Sequence, residues 1–256
     1  RSRRRTQELV DFQIEKSVKG LPSHLDRLTD IQKERYEPSI KLGKALGKLP
    51  LSAGNSATII AEYDKAISEI SKQIRNAHEF VHLEYFIVVL DSTTQPLFDE
   101  LEKAIQRGVK VRVLFDAARY RSYPGHKRMR KELTRMGVQW HTMLPIRLGK
   151  NYNRPDLRNH RKIVVIDDKV TFLGSQNLVD KTYHRKDDIY YDELVVKMHG
   201  PIVRQASAVF AGDWFAETGQ RLSNLTYPSL RPLPEAAGTV LAQLVPSGPN
   251  YERLSI

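Results

Sequence analysis

The amino-acid sequence predicts an α/β fold in which helices cover a β-sheet. From residue 57 onward, segments rich in β-branched and aromatic residues, typical of buried strands, alternate with segments whose apolar residues recur every three or four positions, typical of helices. Gly108 and Gly137 each follow a helical segment and stand where a C-terminal helix cap belongs. Strands that alternate with helices indicate βαβ units, so we expect a helix-covered sheet.

The first strong helical pattern begins near residue 57. Its apolar residues share one face of a predicted helix: Ile59, Ile60, Tyr63, Ile67, Ile70 and Ile74. Further helices are expected at 97–105, 126–136 and 202–218, and strands at 80–90, 109–115, 138–144, 162–166, 170–173 and 190–198. Residues 1–50 carry breakers such as Pro38 and Gly43, which predict short helices and loops.

Composition narrows the classes of partner. Lys and Arg number 41 against 30 Asp and Glu, a formal charge of +11, which favours polyanions such as nucleic acid or anionic lipid without choosing between them. The absence of cysteine excludes a disulfide framework and a thiolate metal site. No apolar run approaches the roughly 18–20 residues that a membrane-spanning helix needs.

The most informative pattern is H-x-K-x4-D, formed by His160, Lys162 and Asp167, followed by Gly-Ser-Gln-Asn at 174–177. Side chains two apart on a strand share a face, so His160 and Lys162 should point the same way. Asp167 lies an odd number of residues further on and need not join them. The predicted turn at 167–169 returns Ser175 and Asn177 beside the first strand, so four polar groups can converge.

Such a patch suits phosphoryl chemistry. An imidazole can attack phosphorus to form a phosphohistidine, while lysine, serine and asparagine side chains hold the non-bridging oxygens and stabilise developing charge. This chemistry needs neither a metal nor a cofactor. The joint spacing makes a chance match remote, and we interpret the pattern as functional rather than as a polar hairpin with a satisfied histidine.

At these residues the chain resembles the phospholipase D superfamily, whose signature is this HKD motif. Other segments of the chain resemble those of bacterial cardiolipin synthases, which belong to this superfamily: RNHRK at 158–162, HLEYFI at 82–87, QRGVKVRVLFD at 106–116, HGP at 199–201 and FAGDWFAET at 210–218. The resemblance covers roughly residues 57–250. It implies a phospholipase D-like fold, a mixed β-sheet flanked by helices, of which this chain would hold one of two repeats.

The resemblance also implies roles for individual residues. His160 would be the nucleophile or its acid and base partner, Lys162 a phosphate ligand, and Asp167 mainly a brace for the motif. Ser175 and Asn177 would be further phosphate ligands. Glu193 stands where the family has an acidic residue that orients a catalytic histidine, although the adjacent Asp192 leaves that alignment open by one position.

The family's active site combines two HKD motifs, and this chain contains one. We therefore expect a fragment: residues 1–56 as an N-terminal helical, juxtamembrane segment, 57–220 as the catalytic repeat, and 221–256 as a linker and the start of a missing second repeat. The site would be completed by that missing half or by a homodimer partner. A start without methionine fits hydrophobic spans upstream, and the resemblance implies the cytoplasmic face of the bacterial cytoplasmic membrane.

Three functions are weighed on this basis. The first is phosphatidyl transfer between two phosphatidylglycerol molecules at a membrane surface, as in a cardiolipin synthase. The second is a one-motif phosphodiesterase of the nuclease type, which completes its site by homodimerisation and cuts nucleic acid. The third is a non-enzymatic module that binds anionic headgroups through basic residues.

Two further features stay open at the level of sequence. Glu84 is either a catalytic contributor or a buried, paired carboxylate on its predicted strand. The basic stretch is equally compatible with a solvated helix face and with a lipid headgroup site. Its members are Arg119, Arg121, His126, Lys127, Arg128, Arg130, Lys131 and Arg135.

Overall fold

The computed structural model describes residues 3–118, 123–145, 158–184, 192–222 and 235–248. Its helices are α1 Arg3–Ser17, α2 Asp30–Gly47, α3 Tyr63–Arg75, α4 Gln95–Gln106, α5 His126–Arg135 and α6 Ile202–Thr218. Its strands are β1 Ser52–Ile60, β2 Phe80–Tyr85, β3 Lys110–Asp116, β4 Gln139–Met143, β5 Ile163–Ile166, β6 Val170–Gly174, β7 Val195–His199 and β8 Val240–Ala242. Short 3₁₀ helices span Leu25–Arg27 and Lys181–His184.

The chain divides into two compact units, one formed by residues 58–197 and the other by 1–57 together with 198–256. This division assigns α6 to the same unit as the N-terminal helices, whereas the sequence prediction groups residues 57–220 together. The predicted linker falls largely on residues 223–234, which lie outside the described residues.

The sheet of the 58–197 unit follows the strand order β4-β3-β2-β5-β6-β7. Strand β3 runs parallel to both β2 and β4, whereas β5 runs antiparallel to β2 and β6. The sheet is therefore mixed, which confirms the predicted fold class. The antiparallel part comprises the β2–β5 pair and the β5–β6 hairpin. The turn of this hairpin contains Asp167 and Asp168 with φ of 54° at both residues, a conformation that aspartate tolerates better than most residues.

One apolar core joins this sheet to helices α3, α4 and α5. Alternate residues of β2, such as Val81 and Leu83, point into the core and contact the apolar stripes of the helices, which include Ile70, Leu101 and Leu133. His82 and Glu84, which alternate with these residues along β2, occupy the other face of the strand and are also buried. Glu84 therefore needs polar partners inside the protein.

The other unit contains α6, which is buried on nearly all sides from Ile202 to Phe215 and packs against α1. Strands β1 and β8 pair antiparallel in this unit, with Ser52 opposite Ala242. Among the described residues, no helix combines the length and the apolar character needed to cross a membrane.

The structure corrects two predicted elements near the N-terminus. Ile59 and Ile60 belong to β1 and not to the following helix, and their 67% and 6% exposure shows the alternation of a strand. Residues 30–47 form one long helix despite Pro38. The capping box of Thr29 and Gln32 starts this helix, which continues through both Pro38 and Gly43.

Two predicted strands are also shorter in the structure. The predicted strand 80–90 ends at Tyr85, after which Val88 forms an isolated bridge with Leu178. The predicted strand 190–198 is present from Val195, and residues 185–191 lie outside the described residues.

Candidate active site

The candidate site lies where the parallel strands β2 and β3 end. Strand β5 runs antiparallel to β2, with Ile163 opposite Glu84, so the residues just before β5 lie beside the carboxyl end of β2. His160 and Lys162 occupy this position. The sequence predicts that the strand begins at Lys162, whereas β5 begins one residue later, at Ile163. The carboxyl ends of parallel strands are the usual location of ligand sites in open α/β sheets.

Two buried carboxylates hold the segment that carries His160. Asp116, the last residue of β3, accepts hydrogen bonds from Arg158: Nη2 donates to Oδ1 at 2.9 Å, and Nε donates to both carboxylate oxygens at 3.1 Å. Glu84 Oε1 accepts from Arg161 Nε at 3.0 Å and from Asn159 Nδ2 at 2.8 Å. The backbone on both sides of His160 is thus tied to the sheet. The contacts of Glu84 match the reading of a buried, paired carboxylate.

The His160 imidazole is exposed and stacks on Phe86, with ring centroids 4.0 Å apart and an angle of 23° between the ring planes. Lys162 Nζ donates to the backbone carbonyl of His160 at 2.6 Å and lies 5.7 Å from the centroid of the same Phe86 ring. Phe86 is therefore a common platform for the histidine and the lysine.

Partial burial lowers the pKa of the Lys162 ammonium, and the negative charge of Glu193 opposes this shift. A desolvated cation gains more from an anionic ligand than a hydrated cation does. The environment of Lys162 is therefore suited to a phosphate oxygen.

The chain that leaves β6 returns beside this site. Asn177 is buried: its Oδ1 accepts from the backbone N–H of Ile87 at 3.1 Å, and its Nδ2 donates to the Tyr183 hydroxyl at 3.0 Å. Ser175 pairs with Leu194, since the serine N–H donates to the leucine carbonyl at 2.9 Å and the serine Oγ accepts from the leucine N–H at 3.0 Å. Ser175 itself is exposed.

Gly174 allows this close approach of two backbones. A Cβ atom at residue 174 would clash with the carbonyl oxygen of Leu194 and would lie 2.9 Å from the Val195 Cα. The glycine of the Gly-Ser-Gln-Asn motif thus has a steric role: because it lacks a side chain, the segment that contains Glu193 can lie against Ser175.

Glu193 connects to the same group of residues through Tyr183. The Tyr183 hydroxyl donates to Glu193 Oε1 at 3.2 Å while it accepts from Asn177. Burial raises the pKa of Tyr183 to about 12, so the phenol stays protonated and can donate at neutral pH. Of the two adjacent acids, Glu193 is the one that bonds Tyr183 and acts electrostatically on Lys162, whereas Asp192 is exposed.

Asp167 lies apart from this group, at the opposite end of β5. Its buried carboxylate accepts hydrogen bonds from the backbone N–H groups of His78, Glu79 and Phe80 at 2.8, 2.9 and 2.8 Å. It therefore fixes the start of β2 and does not reach the candidate site. The structure brings together His160, Lys162, Ser175, Asn177 and Glu193, and it gives Asp167 a bracing position.

Sequence reasoning missed three of the side chains that organise the site: Asp116, Phe86 and Tyr183. A role for Asp116 could have been predicted, because it is a carboxylate at the carboxyl end of a predicted parallel strand. Phe86 and Tyr183 had none, because an aromatic residue on a predicted strand or in a loop is most simply a packing residue.

Comparison with known proteins shows which sequences and folds this chain resembles. A family model described as "Cardiolipin synthase, PLD-like domain" matches residues 70–214. The cardiolipin synthase of Geobacillus kaustophilus is 31% identical over 97% of this chain and 49% of its own length, and cardiolipin synthase A of Proteus mirabilis is 30% identical over 77% and 41%. The chain thus spans about half the length of the curated relatives that it matches.

A solved structure shares the fold. Nuc of Salmonella typhimurium, a phospholipase D family member, superposes with a TM-score of 0.50 at 15% identity and covers 66% of this chain and 99% of its own. At that identity the likeness concerns the fold alone. The family model, in contrast, matches the sequence over more than half of the 256 residues. The chain therefore belongs to the cardiolipin synthase group of the phospholipase D-like domain family.

Proposed function

We propose that this chain supplies one half of the active site of a cardiolipin synthase-type phosphatidyltransferase that acts on phosphatidylglycerol through a phosphohistidine. The observation that carries the proposal is the exposed His160 imidazole, stacked on Phe86 with the ammonium of Lys162 over the same ring. An accessible imidazole beside a desolvated cation combines a nucleophile with a ligand for a phosphate oxygen. The names of the relatives support a phospholipid as the substrate.

The reaction consists of two displacements at phosphorus. In the first, an imidazole nitrogen of His160 forms a bond to the phosphorus of phosphatidylglycerol, the bond to the glycerol headgroup oxygen breaks, and glycerol leaves after it takes a proton from a general acid. In the second, the hydroxyl of another phosphatidylglycerol attacks, the phosphorus–nitrogen bond breaks, and the acid, now a base, receives the hydroxyl proton. The products are glycerol and cardiolipin.

The other described residues have supporting roles in this scheme. Lys162 binds a non-bridging oxygen, and the Ser175 hydroxyl, which is exposed, can donate to another. Asn177 Nδ2, which binds Tyr183 in this structure, faces the same region. Glu193 orients an imidazole, and Tyr183 keeps that carboxylate in place through its hydrogen bond. Arg158 and Arg161 flank His160, and their ion pairs with the carboxylates of the sheet hold the His160 segment in position.

A second histidine is required, because one imidazole cannot be the covalent nucleophile and the general acid in the same step. We propose that it comes from a second HKD motif, either in a separate half of a longer protein or in another copy of this chain. Two copies related by a two-fold axis would contribute His160, Lys162 and Asn177 twice. The lipid substrates place the reaction at a membrane, and we propose the cytoplasmic face of the bacterial cytoplasmic membrane.

The experiment joins mass determination with an assay. The 1–256 chain is sized in solution and tested for conversion of phosphatidylglycerol, with and without a separately expressed second half taken from a relative. We expect essentially no transfer by a monomer and transfer in the mixture, with a phosphatidyl adduct mapped by mass spectrometry to the peptide containing His160. His141→Ala is the matched control, because His141 is an exposed histidine on β4, the edge strand of the sheet, and is not a member of the proposed site.

Three outcomes would contradict parts of this proposal. Transfer by a proven monomer would refute the need for a second histidine. An adduct that persists in His160→Ala would refute the assignment of the nucleophile. A homodimer that cleaves nucleic acid and ignores phosphatidylglycerol would replace the transferase with the nuclease alternative.

A further inference from the structure

Helix α5 carries a strongly basic outward surface. It contains five Lys or Arg residues against a single acid, Glu132. Its apolar residues Met129 and Leu133 are buried against the sheet, whereas Lys127, Arg130 and Lys131 are exposed. These three cations therefore project away from the core.

Two of the cations of α5 have the following partners within the protein. Arg135 forms ion pairs with Glu102 at 2.8 Å and Glu132 at 2.6 Å. Arg128 donates to the neutral side chain of Gln95 at 3.1 Å. The first two turns of α5, residues 126–132, contain four Lys or Arg residues and one acid, and therefore carry an excess of positive charge.

Beside these cations lies a shallow, open depression with a tryptophan in its wall. It is lined by Lys127, Arg130, Lys131, Thr134, Arg135 and Trp140. The guanidinium of Arg130 lies 5.0 Å from the centroid of the Trp140 ring, and Trp140 Nε1 donates to Thr134 Oγ1 at 3.0 Å. Trp140 also stacks on the buried Phe115 at 5.6 Å, so this partly exposed indole is anchored to the core.

The depression belongs to a helix that starts next to the candidate active site. Tyr123, three residues before α5, makes an edge-on contact with Tyr183, with ring centroids 5.9 Å apart, and Tyr183 bonds Asn177 and Glu193. Gly125 lies close to the Leu90 carbonyl: a Cβ atom at residue 125 would be 2.7 Å from that oxygen. The first turn of α5 is therefore fixed close to the edge of the sheet where His160 lies.

We infer that Lys127, Arg130, Lys131 and Trp140, here called the α5 surface, contact the headgroups of an anionic bilayer. Clustered lysine and arginine side chains are attracted to anionic lipid, and indoles with one apolar and one polar side favour the interface between water and lipid. The choice of lipid over nucleic acid rests on the proposed function, since a surface beside the site would hold the protein where its lipid phosphodiester is. Arg130 above the indole can contact a headgroup while the ring meets the glycerol region.

Tryptophan fluorescence provides a direct test with the full 256-residue chain. The sequence has two tryptophans, and Trp214 is only 1% exposed, so changes on binding report Trp140. Vesicles containing phosphatidylglycerol should shift the emission to shorter wavelength and reduce acrylamide quenching, whereas phosphatidylcholine vesicles should not. Lipids brominated near the glycerol backbone should quench the signal. Binding without any change at Trp140 would show that another surface meets the membrane and would overturn the inference.

Charge variants test the cations. Each lysine or arginine near an anionic surface strengthens binding by about fivefold, so Lys127→Gln/Arg130→Gln/Lys131→Gln should weaken vesicle binding by about 100-fold. The matched control is Lys65→Gln/Lys72→Gln/Lys110→Gln, which removes the same charge from exposed residues of α3 and β3. Equal losses in the two triple variants would show a nonspecific effect of net charge and would overturn the inference.

Two further outcomes separate this inference from the proposed function. Vesicle binding needs no turnover. If the α5 surface binds bilayers while neither the chain alone nor its mixture with a second half converts phosphatidylglycerol, the transferase proposal alone is refuted. If the α5 variant lost binding to single-stranded DNA but retained vesicle binding, the surface would be assigned to nucleic acid instead. Should the triple variant fail to fold, quenching of Trp140 in the unaltered chain decides the question.

Discussion

The substitution Glu84→Gln tests how firmly the sheet holds the segment that carries His160. Glu84 is fully buried, and its Oε1 accepts from Arg161 Nε at 3.0 Å and Asn159 Nδ2 at 2.8 Å. Glutamine has nearly the same shape, and its carbonyl oxygen can still accept from Asn159. It removes the negative charge, however, beside a guanidinium whose side chain is only 10% exposed.

The expected loss follows from the burial of this ion pair. Removal of one partner of a buried pair costs about 3–5 kcal/mol, because the remaining charge stays desolvated. Since glutamine retains one hydrogen bond, we expect the low end, about 3 kcal/mol, which is a large share of the roughly 5–15 kcal/mol that stabilises a typical domain. The double variant Glu84→Gln/Arg161→Met should recover much of the loss, because the buried guanidinium is then also gone.

Urea unfolding followed by circular dichroism measures these free energies. The control is Glu62→Gln, which breaks an exposed ion pair with Lys65 in which the side chains are 75% and 59% exposed, and it should have little effect. A loss for Glu84→Gln no larger than in this control would refute the reasoning. So would a double variant that is less stable than Glu84→Gln alone, since the guanidinium would then not be the cause of the loss.

Four further predictions concern the motif itself. His160→Ala should lower turnover of the complete enzyme by orders of magnitude but leave the protein folded, because it removes the reaction path and, among the contacts named above, only the stacking on Phe86; normal turnover in a folded variant would contradict this. Lys162→Met should raise the melting temperature at neutral pH, because burial penalises the ammonium wherever it is protonated; the gain should shrink as pH rises from the lowered pKa of the folded state towards the ordinary 10.5, and a gain independent of pH would exclude this cause. Asp167→Ala should destabilise the fold by about 3 kcal/mol in urea unfolding, since three backbone N–H groups lose their acceptor, and Asp167→Asn should cost less. EDTA should leave turnover intact, because Lys162 and hydrogen-bond donors would stabilise the negative charge of the phosphate. A loss of activity in EDTA that is reversed by adding a divalent ion would refute this.

Local patterns in the sequence were sufficient for the elements whose signals are short in range. Helix 202–218 has the predicted bounds, because Pro201 and Gly219 bracket a continuous helical segment. The hairpin of β5 and β6 was predictable from its two-aspartate turn, and this hairpin makes the sheet mixed. The same local spacing indicated that His160, Lys162, Ser175 and Asn177 would lie near one another. Long-range competition overrode the pattern at Ile59 and Ile60, which pair in a strand although their spacing fits a helix.

The α/β class, the HKD motif and the family that the motif indicates could thus be predicted from the amino-acid sequence. The partners of the side chains, in contrast, depend on the folded arrangement of the strands. Glu84 meets Arg161 across 77 positions of the chain, Asp116 meets Arg158 across 42, and Asp167 binds the backbone at His78 across 89. No spacing rule reaches that far, because such contacts depend on strand order and register. The stacking of His160 on Phe86 arises in the same way, since β2 and β5 are neighbours only in the folded sheet.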